Sequence, residues 1–98
     1  MAYQAFDLTG KTAVVIGGTS GIGRAIARGL AEAGADVVPT SRRIEQVTEA
    51  AGEIRGLGRR SLEVVSDVSD RTSLGRLLNK CIAEFGKNNF RMALVFLS

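Results

Sequence analysis

Ten consecutive residues carry the chemistry of this chain: Val14-Val15-Ile16-Gly17-Gly18-Thr19-Ser20-Gly21-Ile22-Gly23. An apolar run ends in a glycine-rich turn, and a helical pattern begins at once behind it. That order suits a strand, a loop that cradles an anion, and a helix N-terminus. The first-turn N–H groups of a helix have no partner within it and lie at the positive end of its dipole. Gly17 can take the positive φ needed to leave a strand sharply. Gly21 has no Cβ, so a pyrophosphate can approach its backbone, and Gly23 allows the helix to pack close on the strand. Thr19 and Ser20 add hydroxyl donors. The plain alternative is an ordinary strand-turn-helix whose glycines serve only the loop.

Two further clusters favour the nucleotide reading. Ser41-Arg42-Arg43 stands about twenty residues past the glycines, where a dinucleotide fold usually carries an acid for the ribose 2′-OH. Ser41 holds that place, so no carboxylate repels a 2′-phosphate. Arg42 and Arg43 offer planar donors suited to phosphate, which reads as a preference for NADP(H). The alternative is a solvated helix start. Asp67-Val68 closes a later apolar segment, and an ionised carboxylate accepts N–H groups from a base. Asp67 can instead cap the next helix, but Ser69 or Asp70 can do that and leave Asp67 free.

The turn reads G-x-x-x-G-x-G, and at these residues the chain resembles the short-chain dehydrogenase/reductase family. Gly17, Gly21, Ile22 and Gly23 match the family loop, while Ile16 stands where Thr is usual. The resemblance runs over about residues 6–87. It implies an NADP-binding role for Arg42, contact of Asp67 with the adenine amino group, and packing of Val68 on the ring. It also implies hydride transfer between a nicotinamide and a carbonyl or alcohol. The family's catalysis uses a Ser and a Tyr-x-x-x-Lys pair. The single tyrosine here is Tyr3, with Asp7 four residues on. We therefore expect no catalytic residue in this chain, and cofactor binding without turnover. Asn88-Asn89 come too early for the Asn-rich strand end of the family. A truncated product, a frame-shifted one and an intended short form all stay open.

The elements that position these residues follow from periodicity. Residues 12–16 read as a strand buried on both faces. Residues 21–33 read as a helix with Ile22, Ile26, Leu30 and Ala33 on one face and Gly34 as its cap. Residues 35–40 form a second strand, in which Pro39 sits oddly because it cannot donate to a ladder. Residues 44–55 form a second helix with Ile44, Val47, Ala51 and Ile54 inward. Residues 61–66 read as a third strand with Leu62, Val64 and Val65 inward. A third helix runs to about Phe85 on a stripe of Leu74, Leu77, Leu78, Cys81, Ile82 and Phe85. Residues 91–98 are either a fourth strand beside the first or unpaired. Strand and helix alternating three times predict an α/β fold, a Rossmann-type parallel sheet with flanking helices, truncated to three or four strands.

Length and composition bound the rest. Ninety-eight residues make at most one domain, here a partial NADP-binding one over residues 1–98. No histidine is present, which removes imidazole acid–base chemistry and most zinc sites. The lone Cys81 excludes an internal disulfide and has the spacing of a core residue. The net charge of +3 is spread among acids, so nucleic acid is a minor reading. No apolar run approaches a membrane span, and residues 1–7 do not read as a signal peptide, so a soluble cytoplasmic protein is expected. With a single helix on one sheet face, apolar surface and a strand edge should stay uncovered. That predicts marginal monomer stability or a homo-oligomer. The alternative function is a non-catalytic dinucleotide-binding or self-association module.

Overall fold

The computed structural model describes residues 8–67, 69–85 and, for the backbone, 92–96. The elements run β1 (Thr12–Ile16), α1 (Gly21–Glu32), β2 (Asp36–Thr40), α2 (Ile44–Gly56), α3 (Arg71–Phe85) and β3 (Met92–Phe96). The sheet order is β2-β1-β3, with both pairings parallel and Thr12 in register with Asp36 and Met92. The apolar tail is thus a strand beside β1. The chain starts at β1, crosses to β2 on one flank and later returns to β3 on the other. The strand order therefore reverses at the C-terminal end of β1, where open α/β sheets bind ligands.

The alternation of β1 divides the core. Ala13 and Val15 face α1 and α2 with Ala27, Ala31, Val37 and Ile54. Val14 and Ile16 face α3 with Val38, Leu77 and Cys81, flanked by Leu62, Leu74 and Phe85. Two helices on one face and one on the other is the arrangement that right-handed crossovers require. The expected uncovered surface is not found over β1 and β2, since Val14, Ile16 and Val38 are all buried under α3.

Three residues expected to face inward do not. Ile22 is 77% exposed, and the buried line of α1 is Gly23, Ala27 and Ala31. Small side chains let the helix axis approach the sheet, which turns the larger residues outward or to the flanks. Ile44 and Val65 are likewise exposed rather than inward. The α3 stripe is as expected in part, with Leu77 and Cys81 fully buried and Leu74 and Phe85 packed against them.

The expected strand at 61–66 is not a strand. The segment lies along β2 and is fastened at its two ends, by Val37 N–H to Arg60 O at 3.1 Å and Ser66 N–H to Ser41 O at 2.8 Å. Backbone groups of a strand alternate between its two neighbours. Asp36 N–H points to Lys11 O beside β1, and Val37 N–H points away from β1. The residue two places on, Pro39, therefore turns its donorless nitrogen toward 61–66, and the ladder lacks its middle rung. Side chains hold the segment instead, through Thr40 to Val64 O and Ser66 and through Thr48 and Arg55 to Glu63, and they also hold the two residues that lead into it. Arg60 donates to Glu84 O at 2.8 Å and lies over the Phe85 ring, and Arg59 donates to Ala31 O at 2.9 Å.

Candidate functional site

The glycine turn leaves β1 as its residues demand. Gly17 has φ +86° and donates its N–H to Thr40 O at 2.8 Å, joining the exits of β1 and β2. Gly18 is buried and donates to Val15 O at 3.1 Å. A Cβ built on Gly18 would stand 2.8 Å from that same oxygen, so only glycine fits there without a shift. Gly21 has φ +56°, and a Cβ on it would meet nothing within 4 Å. Its Cα is thus open to approach from solvent. Gly23 is buried within α1.

Helix α1 begins without a side-chain cap. Ser20 is the N-cap residue, but its hydroxyl makes no capping bond, and no acidic residue stands in the first turn. The N–H groups of that turn and the dipole end therefore remain for an anion. Ile22 is exposed next to them.

Thr19 is buried and reaches across to β2. Its Oγ1 lies 2.9 Å from Ser41 Oγ and 3.3 Å from Gln46 Oε1. Below this pair, Thr40 Oγ1 bonds Ser66 Oγ at 3.0 Å and also donates to Val64 O. The buried hydroxyls of Thr19, Thr40 and Ser66, with the half-buried Ser41, thus tie the glycine turn, the β2 exit and residues 64–66 into one polar floor. Arg42 and Arg43 stand exposed just beyond it, Arg43 as the N-cap residue of α2 without a side-chain capping bond.

Asp67 does not cap α3, but its carboxylate forms a turn with Ser69. Its Oδ1 accepts Ser69 Oγ at 2.7 Å and Ser69 N–H at 3.0 Å, and its own N–H donates to Ser73 Oγ at 3.1 Å. The bonds from Ser69 are the main reason that its carboxyl titrates below the usual range, and the nearby charge of Arg42 adds to the effect. Its Oδ2 accepts no hydrogen bond among the described residues. Asp70 is the residue that caps α3, its Oδ1 accepting Thr72 N–H at 3.0 Å. Val68 lies outside the described residues.

The structure therefore brings Gly17, Thr19, Ser20, Gly21, Ser41, Arg42 and Asp67 to one end of the sheet. Sequence reasoning missed Gly18, although the doublet Gly17-Gly18 is itself a signal of close backbone approach. It also missed Gln46, for which no local pattern points to Thr19. Burial pushes the Cys81 thiol up to about 11, in keeping with a packing role. No helix among the described residues is long and apolar enough to cross a membrane.

The arrangement has counterparts in known proteins. Residues 11–90 match the family model described as short chain dehydrogenase. The chain is 39% identical over 87 residues to the 2-dehydro-3-deoxy-D-gluconate 5-dehydrogenase of Dickeya dadantii, covering 89% of this chain and 34% of that one. Among solved structures, a hydroxysteroid dehydrogenase from Escherichia coli superposes with a TM-score of 0.84 at 31% identity, over 93% of this chain and 37% of that one. An L-sorbose reductase from Gluconobacter frateurii, complexed with NADPH and L-sorbose, gives 0.77 at 36% identity, over 83% of this chain and 31% of that one. The chain spans about a third of the length of the curated relatives it matches.

Proposed function

The chain belongs to the short chain dehydrogenase family, and from that premise we propose that it holds NADP(H) at the end of its sheet. The observation that carries this reading is the hydroxyl pair of Thr19 and Ser41 beside the exposed Arg42, with Ser41 in place of the acid that would select a 2′-hydroxyl. The pyrophosphate would rest on the uncapped N-terminus of α1, against Gly17, Gly21, Ile22 and Gly23, with the Ser20 hydroxyl at hand. Ser41, Arg42 and Arg43 would take the 2′-phosphate. The unengaged Oδ2 of Asp67 would accept the adenine amino group, and Val68 would pack on the ring. Gly21, with open space where a Cβ would lie, supports the fit of a phosphate there.

When bound, such a cofactor supplies hydride transfer to or from a carbonyl or alcohol. The residues of this chain would bind and orient the adenosine half. The family's Ser and Tyr-x-x-x-Lys proton-transfer set has no counterpart in the sequence, so the 98-residue chain would bind without turnover. Fluorescence titration with NADPH and NADH tests the reading. Tighter binding of NADPH is expected, and equal affinity for both would remove the 2′-phosphate argument. A second reading, pairing of two copies along the sheet edge, is favoured by the position of β3 at the end of the order β2-β1-β3. Light scattering on the purified chain separates a dimer from a monomer.

A further inference from the structure

Gln46 is the third residue of α2, counted from the N-cap Arg43. At that position a helix favours Glu over Gln. A carboxylate there can reach back to the N-cap amide and meets the positive end of the dipole. Nothing in the local energetics of α2 asks for the neutral amide, and the helix already carries Glu45 in the same turn. The reason for Gln must lie outside the helix.

It lies across the groove, at Thr19. Gln46 Oε1 is only an acceptor, so the 3.3 Å contact makes Thr19 the donor. The one Thr19 proton is thereby used, and the 2.9 Å contact with Ser41 is filled by the rotatable Ser41 hydroxyl donating to Thr19 Oγ1. The result is a directed chain, Ser41 to Thr19 to Gln46. It fixes which way the amide faces and leaves both Nε2–H groups as donors with no partner among the described residues.

We propose that Gln46 is a specificity-determining residue for the 2′-phosphate: its amide, oriented by Thr19, keeps a donor and withholds a negative charge beside Ser41 and Arg42. This rests on the NADP(H) reading above and extends it to a residue on α2. The groups around this spot are Thr19 from the glycine turn, Ser41 and Arg42 from the β2 exit, and Gln46 itself, and the Asp67 carboxylate lies near Arg42 on the far side. A carboxylate at 46 would be the first negative group on that rim bonded to Thr19. It would oppose a doubly charged phosphate while leaving a 2′-hydroxyl indifferent.

The test is titration of NADPH and NADH on the 98-residue chain and on its Gln46→Glu and Gln46→Leu variants, with circular dichroism as the folding control. Position 46 is exposed, and Glu suits the helix start, so Gln46→Glu should keep its helix content. For Gln46→Glu we expect NADPH affinity to fall by about fivefold or more at low salt, with NADH unchanged, and the loss to shrink as salt rises. For Gln46→Leu we expect a smaller loss that salt does not relieve. A wild-type chain that prefers NADPH, paired with a Gln46→Glu variant whose NADPH-to-NADH ratio is unmoved, overturns the role of Gln46 alone. A wild-type chain without that preference overturns both readings.

Discussion

The Thr19 hydroxyl stands 2.9 Å from Ser41 Oγ, although the two residues are 22 positions apart in sequence. One belongs to the turn after β1 and the other to the exit of β2. Their contact sets the spacing between the glycine turn and the β2 exit, and so between the proposed places for a pyrophosphate and a ribose. Thr19 is buried while Ser41 is partly exposed, so removing the Thr19 hydroxyl leaves a partner that water can still reach. Thr19→Val should therefore change stability by no more than about 1 kcal/mol. NADPH binding should weaken severalfold, because the turn is no longer fixed against β2. Chemical denaturation and cofactor titration of the same preparation check the two halves. A large stability loss with unaltered affinity would make the contact structural only.

Two glycines should respond to alanine with opposite signs. Gly18→Ala places a Cβ 2.8 Å from Val15 O, a backbone atom that cannot swing away. We expect a loss of about 2 kcal/mol from that overpacking. Gly29 lies inside α1 with open space where its Cβ would be. Gly29→Ala should gain up to about 1 kcal/mol through helix propensity. Thermal melts of both variants against the parent chain decide the matter, and equal shifts would contradict it.

Pro39 offers a different kind of test, because its effect is local. Pro39→Val supplies the donor that the 61–66 segment lacks, worth about 1 kcal/mol. It also releases the unfolded chain from the proline ring, which costs roughly 0.4–1 kcal/mol. The melting temperature should barely move. Hydrogen exchange should nevertheless show a protected amide at position 39 and slower exchange along 61–66. Exchange in that segment as fast as in the parent would mean that the proline is not what keeps it out of the ladder.

These cases mark what the sequence could and could not convey. β1 and the start of α1 were legible because a short apolar run and a glycine turn leave few alternatives, and their observed bounds are those expected. The face of α1 was misread because periodicity rewards large side chains. The sheet instead selected Gly23, Ala27 and Ala31 for close approach and put Ile22 in solvent. Residues 61–66 have strand composition, but their fate depends on a proline that faces them from another segment. That is a property of register rather than of the segment itself. That Asp70 rather than Asp67 caps α3 follows from the sequence, but the Asp67–Ser69 turn does not, because a serine two residues on serves a helix cap equally well. Gln46 was invisible for a related reason: its partner lies 27 positions away.

Acid should loosen this end of the molecule through Asp67. Its folded-state carboxyl titrates below the usual range, chiefly because Ser69 donates to it, so folding favours the ionised form. The contribution is therefore complete above the unfolded value, near pH 4, and is lost as pH falls through the lower folded value. Glu63 acts in the same direction, held down by Arg55 at 2.7 Å and by Thr48 at 2.9 Å. Ser69→Ala deletes the 2.7 Å hydroxyl donor and keeps the amide one, so the Asp67 value should rise part of the way back. The variant should melt lower than the parent above about pH 5, and the gap should close as pH falls through the lowered folded value of Asp67 and its carboxyl is protonated in both. Melting temperatures across that range provide the check. A gap that persists unchanged into acid would show that Ser69 matters for the turn itself rather than for the charge on Asp67.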